Sequence, residues 1–151
     1  MATINEGGRK ITPFIWFDSQ AEAAALFYCS IFSNSRILNS NPMLVTFELE
    51  GQVLMALNGG PKYPLTHAFS LFVSCENQEE VDYYWQRLLE NGAESQCGWL
   101  RDQYGLSWQI VPKVLGQLMG SANREAAKRV MDALLKMQKI DCAILQKAFE
   151  G

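Results

Sequence analysis

Residues 10–17 run Lys-Ile-Thr-Pro-Phe-Ile-Trp-Phe. β-Branched and aromatic side chains dominate, which suits the pleated, half-buried surface of a strand. Pro13 lacks a backbone donor, so it places this strand at a sheet edge, at a strand start or at a bulge. The pattern then changes period. Ala24, Phe27, Tyr28 and Ile31 recur at helical spacing and predict a helix over about residues 21–32. Asp18 or Ser19 would cap it, with Glu22 at capping-box spacing from Ser19. Ser33-Asn34-Ser35 ends it. Residues 36–38 read as a short strand and 39–42 as a loop. Residues 44–50, LVTFELE, alternate as a half-buried strand. Gly51-Gln52 turns this strand into a second one over residues 53–57. Asn58-Gly59-Gly60-Pro61 then breaks the pattern, and residues 62–66 bridge to the second half of the chain.

The same order repeats. Residues 68–74 read as a strand. Asn77 caps a helix over about residues 78–91, with Gly92 as its C-terminal stop. Residues 95–101 and 106–111 read as strands around an Asp102-Gln103-Tyr104-Gly105 turn. The repeat is visible in the residues themselves: FIWFDSQAEAAALF (14–27) superposes on FVSCENQEEVDYYW (72–85). Phe14 meets Phe72, Gln20 meets Gln78, Glu22 meets Glu80 and Phe27 meets Trp85, each 58 residues apart. A fold of two similar halves commonly places a ligand cleft between or within them. After Pro112 the chain turns helical. Ala127, Val130, Met131, Leu134 and Leu135 form one stripe over residues 124–138, the mark of a core or dimer-facing surface. Asp141 caps a last helix over about residues 144–149.

Composition narrows the class. The chain has 151 residues, enough for one domain with a substantial core. Hydrophobic residues are 48% and charged residues 19%, an apolar balance that points to a homodimer. Net charge is −3 and no basic run exceeds a pair, so no nucleic-acid footprint is expected. No apolar stretch reaches membrane-span length, and MATINEGGRK lacks a signal-peptide core. Cys29, Cys75, Cys97 and Cys142 show no CxxC spacing. They are expected as reduced thiols in a cytoplasmic protein rather than as disulfides or a zinc site.

Two copies of strand, helix and about three strands resemble the vicinal oxygen chelate superfamily of glyoxalases, extradiol dioxygenases and bleomycin-resistance proteins. The likeness is closer to its PhnB-like family, whose members carry the label 3-demethylubiquinone-9 3-methyltransferase. ITPFIWFD (11–18), MALNGGP (55–61), residues 76–85, QCGWLRDQYGLSWQIVP (96–112) and AAKRVMDALLKM (126–137) carry it, so it spans almost the whole chain. The connection over residues 35–43 is shorter than is usual in that family. The resemblance implies an α+β fold. Two βαβββ modules, about residues 10–60 and 67–112, would form a curved mixed sheet around a cleft. C-terminal helices would follow over about residues 113–151, within one domain. It also implies a homodimer.

In the superfamily's enzymes, side chains on cleft-facing strands hold a divalent metal that polarises substrate oxygens. The resemblance places those positions at Ile11, Met55, Ala68 (or its neighbour His67) and Gln109. Two are plainly apolar, and a catalytic divalent ion needs three or more O or N side chains. No catalytic metal and no other cofactor is therefore expected. Methyl transfer of the Rossmann type needs a glycine-rich turn between a first strand and its helix, and none is present. His67, the one histidine, reads more simply as a strand-start residue than as a base. Asp18 and Asp102 read as cap and turn residues, and Cys97 as packing. Asn58-Gly59-Gly60 lacks the Lys and Ser/Thr of a phosphate loop. Phe14, Trp16, Phe47, Trp99 and Trp108 lie on predicted strands, so alternation sends some under the helices and some to the other face. The expected ligand-binding residues are Trp16, Met55, Leu57, His67, Trp99 and Gln109, around a small organic molecule. A metal-dependent glyoxalase or dioxygenase, and a resistance-type protein that sequesters its ligand, are the alternatives.

Overall fold

A computed structural model describes residues 9–151. The N-terminal stretch tested for a signal-peptide core lies mostly outside these residues. The described chain divides into two units, joined between Leu65 and Thr66.

In the first unit, β1 (Phe14–Phe17) leads into α1 (Ala21–Ile31), β2 (Ser35–Ser40), β3 (Leu44–Leu49) and β4 (Gln52–Asn58). The sheet order is β1-β4-β3-β2, with β1 parallel to β4 and the other pairs antiparallel. The β3–β4 turn is tight because Glu50 and Gly51 both take positive φ, at 49° and 84°, the backbone twist that two-residue hairpins favour. Strand β1 is shorter than its composition suggests: Pro13 precedes it, and the Pro13 carbonyl accepts from Met55 N at 3.0 Å. Strand β2 is longer, reaching Ser40 across a register shift between Ile37 and Asn39. Ile15, Phe17, Val45, Phe47, Leu54 and Ala56 are buried. Tyr28 of α1 lies against Phe47, their rings 6.2 Å apart, which marks this as the helix-covered face of the sheet.

Helix α1 is not capped by Asp18 or Ser19. Gln20 is its N-cap residue and offers no side-chain bond. Asn58 does that work from the far end of β4: its Oδ1 accepts from Ala21 N at 2.8 Å and its Nδ2 donates to Pro42 O at 3.0 Å. An orphan helix donor and a loop carbonyl are satisfied by one side chain.

In the second unit, β5 (Ser70–Cys75) leads into α2 (Gln78–Leu89), β6 (Ala93–Glu94), β7 (Trp99–Arg101) and β8 (Ser107–Pro112), in the order β5-β8-β7-β6. Again the first strand is parallel to the last and the others are antiparallel. Asn77 caps α2 as expected, accepting from Glu80 N at 3.0 Å, and Glu80 accepts from Glu76 N at 2.7 Å. The strand expected over residues 95–101 is broken. Cys97 and Gly98 take φ of 60° and 85° and fold into a turn between β6 and β7. The left-handed residue after α2 is Asn91, φ 57°, rather than Gly92.

Three helices complete this unit: α3 (Lys113–Met119), α4 (Arg124–Leu134) and α5 (Cys142–Glu150). Asp141 caps α5, accepting from Ile144 N at 3.1 Å. Leu118, Val130, Leu134, Met137, Ile140 and Leu145 form their core, against which Cys97 and Val111 pack. Of the predicted stripe, Ala127, Val130 and Leu134 are buried, while Met131 and Leu135 are exposed. Helix α4 ends at Leu134, short of residue 138. The carbonyls beyond it turn outward: Met137 O accepts from Cys97 N and Gln138 O from Gly98 N, both at 2.8 Å. The helical tail is thereby sewn to the Cys97–Gly98 turn.

Candidate functional site

Strand register fixes which side chains share the face opposite each helix, because alternate residues project to the same side and paired residues align across strands. In the first unit Phe14 pairs with Met55, Met55 with Thr46, Trp16 with Leu57 and Leu57 with Leu44. Trp16, Met55 and Leu57 therefore share one face. Met55 is buried and Phe14 half-exposed. Trp16 is held rigidly. Its indole Nε1 donates to Gly60 O at 2.9 Å, Tyr63 meets it edge-on at 5.0 Å, and its ring fills the space a Cβ on Gly59 would need. The Asn58-Gly59-Gly60 segment thus serves as a helix cap and a tryptophan seat.

In the second unit Phe72 pairs with Gln109 and Gln109 with Trp99. The adjacent row is Ser70, Ser107 and Arg101. Gln109 Nε2 donates to Ser70 Oγ at 3.0 Å. His67 Nδ1 lies 3.1 Å from Ser107 Oγ, which is buried. Trp99 and Gln109 thus share one row, while His67, expected at a strand start, lies in the turn before β5 and meets the adjacent row only through Ser107. Ser70, Ser107 and Phe72 belong with them and were missed. The signal for Phe72 was its repeat partner Phe14; Ser70 and Ser107 carry none without the register of β5 on β8.

Phe14 stands to Met55 as Phe72 stands to Gln109, so the two repeats present the same position with different chemistry. Thr12 and Ser70, 58 residues apart, extend the comparison. Ser70 Oγ is engaged by Gln109, while Thr12 Oγ1 is a buried oxygen without a partner. A thioether at Met55 has no donor to offer.

The other candidates sort by burial. Phe47 and Trp108 are core residues of their helix-covered faces. Asp102 is buried and its carboxylate accepts from Tyr104 N, Leu106 N and Trp108 Nε1 at 2.8, 3.1 and 2.8 Å. These three bonds hold the turn and the Trp108 ring, the turn role expected of it. Cys97 Sγ contacts Leu134 O at 3.6 Å. Burial, then the Glu80 carboxylate, pushes the Cys75 thiol up to about 12 despite a backbone bond at Val111 that lowers it, so this thiol is inert.

The donor set argues against a resident metal. Ile11 precedes β1 and is 84% exposed, Met55 is apolar, and the Gln109 and His67 side chains already have hydroxyl partners. No group of three or more His, Cys, Asp or Glu gathers as a metal-binding set among the described residues. The residues at the superfamily's ligand positions do not fit a catalytic divalent ion.

Two mixed four-stranded sheets, each with a parallel pair closing a βαβββ unit, are the architecture of the glyoxalase/bleomycin resistance/dioxygenase superfamily. The chain belongs to the PhnB-like family described as 3-demethylubiquinone-9 3-methyltransferase, whose pattern matches residues 9–111. The PhnB protein from Bacillus cereus is 34% identical with a TM-score of 0.64, covering 69% of this chain and 99% of its own. Protein PA1353 from Pseudomonas aeruginosa shares the fold at 15% identity and TM-score 0.58, over 70% of this chain and 98% of its own. So does the fosfomycin resistance protein FosX from Listeria monocytogenes, solved with Mn(II) and sulfate, at 15% and 0.50, over 67% and 86%. No curated protein matches. No helix among the described residues is long and apolar enough to cross a membrane.

Proposed function

We propose that the chain binds a small organic molecule on the face of β5, β7 and β8 that carries Phe72, Gln109 and Trp99, and that it does so without a catalytic metal. The observation that carries this reading is the Gln109–Ser70 bond beside an exposed Phe72. A half-buried amide is held in place at the centre of an aromatic row, the mixture of apolar surface and few fixed polar groups typical of ligand sites. The donor set supports the metal-free part. Two of the four superfamily positions are Ile11 and Met55, and neither side chain ligates a hard or borderline ion. The family's methyltransferase description is not carried over, since no glycine-rich strand-to-helix turn is present to seat a methyl donor.

The test is elemental analysis after expression and purification in excess Mn, Fe, Ni and Zn. The reading expects well under one metal per chain. Stoichiometric metal lost on Gln109→Ala would establish the metal-dependent alternative. Ligand-induced thermal shifts without turnover would favour a sequestering role over catalysis. We also propose that the chain forms a homodimer, on the strength of exposed Phe14 and Leu135. Light scattering at micromolar concentration checks that state, and a monomer mass would overturn it.

A further inference from the structure

We propose that Asn91 is a site of spontaneous covalent modification: its side-chain amide condenses with the Gly92 backbone nitrogen, and the chain acquires an aspartate or isoaspartate just past the end of α2. The chain has two Asn-Gly pairs, 58–59 and 91–92. A glycine after asparagine carries no Cβ to hinder its own amide nitrogen from reaching the side-chain carbonyl carbon. In the reaction the Gly92 nitrogen gives its proton to hydroxide and bonds to Asn91 Cγ. The side-chain nitrogen takes up a proton from water and leaves as ammonia. Water then opens the five-membered imide at either carbonyl. Asparagine and water thus become ammonia and either aspartate or isoaspartate, with no change of oxidation state.

The fold separates the two pairs. Asn58 is clamped at both ends of its amide: Oδ1 accepts from Ala21 N at 2.8 Å and Nδ2 donates to Pro42 O at 3.0 Å. Gly59 N donates to Phe17 O at 2.9 Å, and the Trp16 ring lies against Gly59. Reaction there needs a helix cap, a loop and a tryptophan seat to release together. Asn91 and Gly92 are exposed, in the turn between α2 and β6. The bond from Gly92 N to Leu89 O, at 2.7 Å, restrains the nucleophile. It lies at the frayed end of a helix, where local opening is easy. Asn91 also holds a left-handed backbone, φ 57°, a strain that opening relieves.

The product acts on the sheet. A Cβ on Gly92 would overlap the Arg101 carbonyl oxygen, where Ala93 of β6 pairs with Arg101 of β7. Isoaspartate lengthens the main chain by a methylene at this close approach. Either product also sets a carboxylate at the C-terminal end of α2, the end of a helix that disfavours negative charge. Both changes loosen β6 from β7.

The experiment ages the full chain at pH 8 and 37 °C, folded and in urea, and follows both pairs by peptide mass spectrometry. In the folded chain the amide at Asn91 is expected to be lost at least about tenfold faster than that at Asn58. In urea, which frees both, the two rates should converge to within about threefold. Asn91→Gly is expected to abolish the first acidic species to form. The aged acidic form, separated by ion exchange, should show quickened hydrogen exchange in β6 and β7 but not in β1. Equal rates in the folded chain, faster loss at Asn58, or a tenfold gap that persists in urea would overturn the assignment of Asn91 as the site opened by the fold. Unchanged exchange at β6 in the aged form would overturn the loosening of the sheet.

Discussion

Trp108 Nε1 donates to Asp102 Oδ2 at 2.8 Å, a bond between two side chains that are both buried in the second unit. The same carboxylate receives the Tyr104 and Leu106 amides, so one side chain closes the β7–β8 turn and anchors the largest core residue. Asp102→Ala leaves three donors unpaired in a site nearly sealed from water. Orphaned buried donors cost about 1–3 kcal/mol each, with incomplete additivity, so a loss of ~3 kcal/mol or more is expected. Asp102→Asn retains two acceptor bonds and is expected to lose less. Urea unfolding midpoints at unchanged m-value measure both. An alanine variant within about 1 kcal/mol of the parent would remove the carboxylate from this role.

Gln78 is the link between α2 and the helical tail. Its Nε2 donates to Ile140 O at 3.0 Å and its Oε1 accepts from Cys142 N at 2.7 Å. Asp82, held down by Lys139 and then by Gln78, adds an ion pair at 2.8 Å to the same seam. The pair is half-exposed and contributes little. The amide does more, because truncating it leaves a backbone donor and acceptor unpaired at the start of α5. Gln78→Ala is expected to cost ~1–3 kcal/mol and to open the tail first. Hydrogen exchange should quicken in α5 before it does in β8. Uniform quickening across the unit would show that the tail does not come away separately.

Local chemistry made much of this fold legible. Asn77 and Asp141 act on residues within four positions of themselves, the hairpin read at Gly51-Gln52 lies one residue earlier at Glu50-Gly51, and the family resemblance matched Met55 with Gln109. What escaped depends on distant backbone. The cap of α1 comes from Asn58, 37 residues away, so Asp18 and Ser19 looked like better candidates than they are. The strand read over residues 95–101 dissolved because Cys97 and Gly98 bond to Met137 and Gln138 of the tail, a tertiary contact that overrides strand propensity. At the site, Gln109 came from the family resemblance and Trp99 from its place among the strand aromatics. Their hydroxyl neighbours could not be read, since a one-residue slip of β5 would have sent Ser70 to the other face.

Asn91 and Gly92 divide between them a role that one glycine usually fills. Asn91 holds the left-handed backbone, φ 57°, which asparagine tolerates at modest cost. Gly92 is required for space: a Cβ there would overlap the Arg101 carbonyl oxygen, where β7 pairs with Ala93 of β6. The two substitutions should therefore have opposite signs. Asn91→Gly relieves strain and is expected to be neutral or to stabilise by up to ~1 kcal/mol. Gly92→Ala forces backbone apart and is expected to destabilise by ~1–3 kcal/mol. Thermal midpoints of the two variants distinguish them, and a destabilised Asn91→Gly with a neutral Gly92→Ala would reverse the assignment.

Cys75 ties alkaline stability to the core of the second unit. An ordinary thiol ionises near 9.0, whereas burial, chiefly, and the Glu80 carboxylate raise this one to about 12. Between those values the folded chain keeps a proton that the unfolded chain releases, so stability falls as pH rises. The contribution is fully present below pH 9 and lost by about pH 12. Cys75→Ala lacks the titration. At pH 8 it should be less stable than the parent, since Cys75 is fully buried and its truncation leaves a small cavity. As the pH is raised from 9 to about 11 the parent should lose that advantage, because its other titrating groups are common to both proteins. Urea midpoints taken at intervals across this range follow the gap directly. A gap that stays constant would mean that the Cys75 proton is not held by the fold.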